Sequence, residues 1–313
     1  MDRFPRLLKQ QHLLKKDNSF YKLFIQEPRL YQAGFLFLCM QTKKPIGVFD
    51  SGYGGLTILK ELQLALPTHD FIYLGDNARA PYGPRSYETV YQYTLEAVDW
   101  LFDKGCDLVI LACNTASAKA LRTIQQKDLA GRGSHKRVLG VIRPTTEVVG
   151  QFSSTKQVGI VGTKGTIESE SYPVEIAKFF PEVQVFQQAC PMWVPMIENR
   201  AYNTPGARYF MEQDLNALFA KSGKIDTLLL GCTHYPLLLE TIESLVPKGV
   251  KVLTQGAIVA ASLVDYLKRH PDLDACITRH SDCVFYTTDA TSDFDAHAAD
   301  FLGYSVHSLP ATL

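Results

Sequence analysis

One stretch of the chain occurs twice, and this repeat limits what the chain can fold into. Residues 107–115 read Asp-Leu-Val-Ile-Leu-Ala-Cys-Asn-Thr, and residues 226–234 read Asp-Thr-Leu-Leu-Leu-Gly-Cys-Thr-His. In each copy an Asp opens a short apolar run, and a Cys with two polar residues follows it. Such a run between helix-like segments indicates a buried parallel strand. The repeat therefore predicts two strands, each with a thiol at its carboxyl end.

The two thiols, Cys113 and Cys232, are expected close to helix starts, because the polar residues after each Cys suit a helix N-terminus. Ligands of open α/β sheets bind at the carboxyl ends of strands. A helix N-terminus there also lowers the pKa of a thiol. A single Cys at a strand end is most often a small buried apolar residue. The pairing instead favours two acid/base groups that face one site.

A second, weaker repeat indicates that the chain consists of two related halves. Residues 44–50 (Lys-Pro-Ile-Gly-Val-Phe-Asp) return as residues 156–162 (Lys-Gln-Val-Gly-Ile-Val-Gly), an offset of 112, against 119 for the cysteines. We predict an α/β fold of two pseudosymmetric domains, each a mainly parallel sheet flanked by helices, with the active site in the cleft between them. The predicted first domain comprises residues 44–140 and 255–313, and the second comprises residues 141–254.

Residues 1–43 do not share this pattern and are predicted to be an extension outside the core. Residues 1–39 carry seven Lys or Arg against three Asp or Glu, without clear periodicity. The apolar part is short and no small-residue cleavage site follows it, which disfavours a signal peptide. Met40 stands four residues before the first predicted strand, so it is a candidate for the biological start.

Composition excludes several classes of partner and cofactor. The chain has 313 residues, 46% of them hydrophobic, which suffices for the cores of two domains. The formal net charge is zero, so nothing argues for nucleic acid, and the apolar run 35–40 is too short for membrane insertion. The seven cysteines are scattered, with no spacing typical of zinc or iron–sulfur sites. We expect reduced thiols in the cytoplasm, no metal and no cofactor.

Two loops after predicted strands are expected to border the cleft. The first, Ser51-Gly-Tyr-Gly-Gly55, lets the backbone approach an anionic group, although glycine-rich turns of this kind are common. No Gly-Lys-Ser/Thr follows it, so it is not a nucleotide P-loop. The second, residues 77–86, contains two prolines and a glycine and is predicted to be an ordered cleft wall.

Two opposed acid/base groups suit inversion at a carbon next to a carboxylate. One group removes the Cα proton from one face, and the other delivers a proton to the opposite face. Proton transfer by positioned groups contributes roughly 10²–10⁴-fold in rate. Asp50 belongs to the same half as Cys113, and His234 lies beside Cys232, so either can orient a thiol or take its proton. The donors available to bind the carboxylate are loop amides and the side chains of Ser51, Asn114, Thr115 and Thr233.

Four motifs now point to a known family. Residues 49–55 read Phe-Asp-Ser-Gly-Tyr-Gly-Gly, 75–83 Gly-Asp-Asn-Ala-Arg-Ala-Pro-Tyr-Gly, 112–116 Ala-Cys-Asn-Thr-Ala, and 231–237 Gly-Cys-Thr-His-Tyr-Pro-Leu. From about Lys44 to the C-terminus the chain resembles the glutamate racemases of the Asp/Glu racemase family. The resemblance implies a cofactor-independent cytoplasmic isomerase that interconverts L- and D-glutamate, supplies D-glutamate for peptidoglycan and forms a homodimer.

The resemblance also assigns expected roles to individual residues. Cys113 and Cys232 match the two catalytic cysteines of the family, and Asp50 and His234 match the residues that assist them. The expected substrate contacts are Asp50, Ser51, Tyr82, Gly83, Asn114, Thr115, Thr233 and His234. The chain departs from the pattern at Arg143, where many members carry Glu, so no role of that Glu can be transferred. Arg143 is expected to be a solvated or ion-paired residue at the rim.

Three other functions fit parts of this pattern. A related aspartate or hydantoin racemase also has two cysteines, but it should lack the Pro-Tyr-Gly and Cys-Thr-His-Tyr motifs together. A Cys–His hydrolase uses one thiol as nucleophile and leaves the second without a role. A solute-binding module tolerates Cys→Ser at both positions. Loss of optical rotation from L-glutamate without added cofactor separates these alternatives from a glutamate racemase.

Overall fold

The computed structural model describes residues 44–313, so the predicted extension and the candidate start Met40 lie outside the described residues. Within residues 44–313, ten strands form a six-stranded and a four-stranded sheet. The strands are β1 (Ile46–Asp50), β2 (Phe71–Gly75), β3 (Leu108–Leu111), β4 (Arg137–Gly140), β5 (Gln157–Gly162), β6 (Gln184–Ala189), β7 (Thr227–Leu230), β8 (Lys251–Leu253), β9 (Cys283–Thr287) and β10 (Ser308–Pro310).

The two sheets share one strand order. The larger sheet runs β10-β9-β2-β1-β3-β4 and the smaller runs β6-β5-β7-β8, so the segments 2-1-3-4 and 6-5-7-8 correspond. Every strand pair in the two sheets is parallel. The predicted fold class, α/β with parallel sheets flanked by helices, is confirmed. The strands of the larger sheet fall in residues 44–140 and 255–313 and those of the smaller in residues 141–254, whereas the predicted domain limits stay a prediction.

Helices separate most consecutive strands. The α-helices are Leu56–Ala65, Tyr87–Asp103, Asn114–Lys119, Leu121–Thr123, Ile142–Thr146, Lys164–Glu168, Ser171–Phe179, Trp193–Glu198, Pro205–Phe219, Leu239–Leu245, Gly256–Arg269, Pro271–Cys276 and Thr291–Leu302. Shorter 3₁₀ turns are Asn77–Arg79, Leu129–Gly131, Val149–Gln151 and Tyr235–Leu238, and Ile124–Asp128 is a π-helical turn. None of the helices within residues 44–313 is long and apolar enough to cross a membrane.

The central strand β1 shows why the apolar runs become buried strands. All five of its residues are buried, because β2 and β3 pair with its two edges and helices cover both faces of the sheet. Successive side chains of a strand point to opposite faces, so Val48 packs into one hydrophobic cluster and Phe49 into another. The strand therefore positions Asp50 and Ser51 at its carboxyl end with little freedom to move.

The helix Tyr87–Asp103 has a capping residue at its start and a glycine after its end. Ser86 caps its start, because the Ser86 hydroxyl accepts a hydrogen bond from Thr89 N at 3.2 Å. Gly105 follows its end with a φ of 94°, a left-handed conformation in which glycine avoids the steric penalty of a side chain.

Two elements end early. The helix that follows Cys113 is broken at Ala120, where φ is −109° instead of the helical value of about −63°. The strand β4 ends at Gly140, and a helix begins at Ile142. Pro144 favours this early helix start, because a proline in the first turn has no intrahelical hydrogen bond to lose.

Candidate active site

A cavity of about 140 Å³ lies where the carboxyl ends of the two sheets meet. In the larger sheet the chain passes from β1 to β2 on one side and returns to β3 on the other, and β5, β6 and β7 repeat this order. Each sheet thus has a switch point, the position at which open α/β sheets bind ligands. The cavity is lined by Ser51, Pro81, Tyr82, Gly83, Pro84, Cys113, Asn114, Thr115, Thr163, Lys164, Cys190, Pro191, Val194, Pro195, Glu198, Cys232, Thr233 and His234.

The structure brings the predicted site residues together. Those that line the cavity are Ser51, Tyr82, Gly83, Cys113, Asn114, Thr115, Cys232, Thr233 and His234. Asp50 is fully buried and does not line the cavity, but its Oδ2 lies 3.4 Å from the Thr233 hydroxyl. The loop with Pro81, Tyr82, Gly83 and Pro84 is a wall of the cavity, as its composition predicts. Arg143 does not line the cavity.

Cys113 follows β3 and caps the helix Asn114–Lys119. Its Sγ accepts from Ala116 N at 3.5 Å and lies 3.4 Å from the Ser51 hydroxyl, which follows β1. The helix start predicted after this Cys is therefore present. After Cys232 the prediction is only partly met, because the residues there enter a 3₁₀ turn that begins at Tyr235, with Pro236 in its first positions as expected.

The lowered pKa predicted for a thiol at this position is wrong for Cys113. Burial raises the pKa of the Cys113 thiol to about 12, and the charge of Asp50 adds to the rise. The hydrogen bonds from Ser51 and from Ala116 N act in the opposite direction without cancelling the desolvation. Cys113 in this structure is thus a protonated thiol at neutral pH, suited to giving up a proton.

Cys232 has a different polar partner, His234. The Nδ1 atom of His234 lies 3.9 Å from Cys232 Sγ, and its Nε2 lies 3.0 Å from Glu198 Oε1. Burial alone would lower the pKa of His234, but the hydrogen bonds to Cys232 and Glu198 and their charges raise it to about 10. At neutral pH both ring nitrogens therefore carry protons, so an imidazolium lies between a carboxylate and the Cys232 sulfur. This cation attracts negative charge on that sulfur.

Asp50 connects the two halves of the site. Its Oδ1 accepts from Gly52 N at 2.8 Å, and its Oδ2 accepts from the Thr233 hydroxyl of the other half at 3.4 Å. Burial raises the pKa of the Asp50 carboxyl, while the His234 charge and the amides of Gly52 and Gly55 oppose the rise.

Two glycines after β1 allow the halves to approach closely. A Cβ placed on Gly54 would lie 2.3 Å from His234 Nδ1 and 2.5 Å from Thr233 Oγ1. A Cβ placed on Gly55 would lie 2.5 Å from Asp50 Cβ. Contacts this short essentially never occur for real Cβ atoms, so the glycine-rich turn brings the backbone of one half against the Thr233-His234 segment of the other. Close approach of this backbone to an anionic group of a ligand stays a prediction; in this structure the backbone approaches protein side chains.

The sequence analysis did not identify two polar residues that line the cavity, Thr163 and Glu198. Thr163 directly follows β5, as Ser51 directly follows β1. The two residues are 112 positions apart, which is the offset of the weaker repeat, so this repeat could have identified Thr163. Its hydroxyl lies 2.9 Å from that of Thr115. Glu198 ends the helix Trp193–Glu198, and nothing in the sequence around it distinguishes it from other acidic residues.

One group of side chains within residues 44–313 has the spacing of cation ligands: Asp70, His280 and Asp282. It lies outside the cavity, and His280 and Asp282 are exposed. The oxygens of Asp70 already accept hydrogen bonds from the backbone amides of His280 and Asp282, at 2.7 and 3.0 Å. These hydrogen bonds hold the segment before β9 in place and explain why the three side chains lie close together.

The fold and the cavity define an α/β protein in which two sheets with equivalent switch points supply one site with a pair of thiols. The family model described as Asp/Glu/Hydantoin racemase matches residues 55–263, and the chain belongs to that family.

Curated relatives and solved structures agree with this assignment. The chain is 40% identical over 261 residues to a glutamate racemase from Listeria innocua, covering 83% of this chain and 94% of the relative. It is 41% identical over 250 residues to one from Oceanobacillus iheyensis, covering 78% and 86%. Among solved structures it is similar to a glutamate racemase from Bacillus anthracis, with a TM-score of 0.79, 33% identity and coverage of 87% and 98%. One from Francisella tularensis in complex with D-glutamate has a TM-score of 0.77, 32% identity and the same coverage.

Proposed function

We propose that this chain is a cofactor-independent glutamate racemase that uses Cys113 and Cys232 on opposite faces of the substrate. The observation that carries the proposal is that both thiols line one cavity from equivalent strand ends of the two sheets. The near-symmetric half-sites suit a substrate whose two enantiomers are near mirror images at Cα. The names of the relatives support glutamate as the small-molecule substrate.

The surroundings of the two thiols suit the conversion of L- to D-glutamate. Cys232, beside the imidazolium of His234, is the base that takes the Cα proton of L-glutamate. Cys113, protonated because it is buried, gives its proton to the opposite face. For D-glutamate the roles reverse: the Cys113 thiolate left by the forward reaction takes the Cα proton, and the Cys232 thiol gives its proton to the opposite face. Asp50 is placed to assist, because its charge acts on Cys113 and its Oδ2 contacts Thr233.

The developing charge on the substrate carboxylate needs fixed donors. The hydroxyls of Ser51, Thr115 and Thr233 line the cavity, whereas the side-chain nitrogen of Asn114 already donates to Tyr172 and Gln255. Tyr82 and Gly83 form its wall, and Gly83 O accepts from Gly165 N of the other half at 2.9 Å. One well-placed donor for a developing oxyanion is worth roughly 3–4 kcal/mol. Of the substrate contacts that the resemblance implies, we propose Ser51, Tyr82, Gly83, Asn114, Thr115, Thr233 and His234, which line the cavity, and we propose that Asp50 acts through Thr233.

The wider role proposed is supply of D-glutamate for peptidoglycan in the cytoplasm by a homodimer. This part rests on the family resemblance. The proposed division into residues 44–140 with 255–313 and residues 141–254 is supported by strand membership of the two sheets.

The decisive experiment follows optical rotation from L-glutamate, with L-aspartate as a parallel substrate. The purified protein should racemise glutamate without pyridoxal phosphate and after exhaustive chelation. In D₂O, early product from either enantiomer should carry deuterium at Cα while unreacted substrate remains largely unlabelled, because the proton delivered comes from a thiol that has exchanged with solvent. Activity restored only by added metal, or product that keeps the substrate's own hydrogen, would refute the paired-thiol mechanism.

Two variants test each thiol separately. Cys113→Ser and Cys232→Ser should each slow racemisation strongly in both directions, because a hydroxyl is a far weaker acid than a thiol. Cys106→Ser is the matched control, since Cys106 is a buried free cysteine that does not line the cavity. A Cys–His hydrolase would lose activity on substitution of only one of the two thiols.

A further inference from the structure

Asn114 is one of the residues that line the cavity, and one of its side-chain atoms is buried without a hydrogen-bond partner among residues 44–313. Its Nδ2 donates to Tyr172 Oη and to Gln255 Oε1, both at 2.8 Å. Within the described part of the chain its Oδ1 is buried and has no partner. An unpaired buried acceptor is destabilising, so a ligand donor at this atom recovers free energy.

Which amide atom of Asn114 is left unpaired depends on Gln255. The Gln255 side chain is buried, and its Nε2 lies 3.3 Å from Val141 O, 3.1 Å from Thr145 Oγ1 and 2.8 Å from Tyr172 Oη. A backbone carbonyl only accepts hydrogen bonds, so Val141 O requires the nitrogen of Gln255 on its side. The oxygen of Gln255 must then face Asn114.

The orientation of Gln255 in turn determines the orientation of Asn114. Because Gln255 presents an oxygen, Asn114 must present its nitrogen toward it. A flipped Asn114 would place two acceptor oxygens about 2.8 Å apart, where its nitrogen now meets Gln255 Oε1. The Val141 carbonyl thus determines, through Gln255, that the unpaired atom of Asn114 is an oxygen.

We propose that Gln255 is a positioning residue that makes Asn114 an acceptor for the α-ammonium group of the substrate. The inference rests on the proposed function, in which Asn114 contacts glutamate. Val141 and Gln255 lie on the two segments that connect the sheets, after β4 and after β8. Residues on both connecting segments therefore orient the Asn114 amide, although neither Val141 nor Gln255 lines the cavity.

The test compares D-glutamate with glutarate, which has both carboxylates but no ammonium group. In Gln255→Met, an apolar residue of similar size, the Asn114 amide is free to rotate. The affinity for D-glutamate should fall by about 10-fold or more, while that for glutarate changes by less than about twofold. Calorimetric titration measures both affinities, and the KM for glutamate should rise more than kcat falls.

Two further variants distinguish positioning from simple packing. Gln255→Glu, protonated on the oxygen that faces Val141 O, keeps an acceptor oxygen facing Asn114, so below the pKa of this carboxyl it should retain most of the preference for D-glutamate over glutarate. Gln125→Met is the matched control, because Gln125 also donates from Nε2 to a strand carbonyl, that of Val138 at 2.8 Å, but does not line the cavity. It should leave both affinities unchanged.

Several outcomes would overturn the inference. Equal losses of affinity for both ligands in Gln255→Met, or no loss for either, contradict it, and so does a Gln255→Glu variant that behaves like Gln255→Met. If Gln255→Met does not fold, NMR of the wild-type side-chain amides replaces it. The Asn114 Nδ2 protons should stay protected from exchange with and without D-glutamate, and their release on binding refutes the inference. Wild-type protein that neither binds nor racemises glutamate refutes the proposed function instead.

Discussion

Gly54→Ala should strongly reduce catalysis while the protein still folds. Gly54 is not in a left-handed conformation, so alanine fits its backbone without strain. The new Cβ would lie 2.3 Å from His234 Nδ1, whereas ordinary contacts begin at 3.4 Å, so the imidazole must retreat by about 1.1 Å. Thr233 Oγ1, at 2.5 Å, must retreat by about 0.9 Å. Both residues directly follow Cys232 in the chain.

The size of the expected effect follows from this displacement. A misplacement of about 1 Å at a reacting group can cost roughly 100-fold in rate, which corresponds to about 2.7 kcal/mol. Extra atoms in a packed interior destabilise a protein by about 1–3 kcal/mol, partly offset by the reduced freedom of the unfolded chain. We therefore expect kcat to fall about 100-fold in both directions while the variant still unfolds cooperatively.

The assay follows the circular dichroism of each glutamate enantiomer, with thermal unfolding measured on the same samples. Gly131→Ala is the matched control, because a Cβ there would meet nothing within 4 Å and its φ is not positive. It should leave both rate and stability close to those of the wild type. A Gly54→Ala variant with activity within twofold of the wild type would show that the Thr233-His234 segment is not held as tightly as the reasoning requires.

Two other predictions concern charged groups. His234 has a pKa of about 10 in the folded protein against 6.5 ordinarily, so its stabilising effect is complete below about pH 6.5 and is lost as pH rises through about 10. The difference in unfolding free energy between wild type and His234→Gln should shrink over that range, and a difference independent of pH contradicts the pairing. Arg143→Ala should change kcat/KM by less than about threefold, because the Arg143 side chain is 69% exposed and pairs with Glu147 at 2.8 Å outside the cavity. A loss comparable to that of Cys113→Ser would refute its assignment to the rim.

The sequence alone was sufficient to predict the central strands, the fold class and most of the candidate site. Short apolar runs such as residues 108–111 must be buried on both faces, and the polar residues after them must lie at a strand end whatever surrounds the sheet. The cysteine repeat predicted equivalent positions for Cys113 and Cys232, and both line the cavity. The weaker repeat, with its offset of 112, relates Thr163 to Ser51.

Only the tertiary structure determined the pKa values of the site and the contacts between residues that are far apart in the sequence. The pKa of Cys113 depends on how much water its burial removes, which outweighs the local effect of the helix that follows it. Glu198 reaches His234, and Gln255 reaches Asn114, across separations of 36 and 141 residues. Neither contact follows from local periodicity or from the repeat. The first depends on how the helix Trp193–Glu198 packs beside the end of β7, and the second on how the segment after β8 packs beside the end of β3.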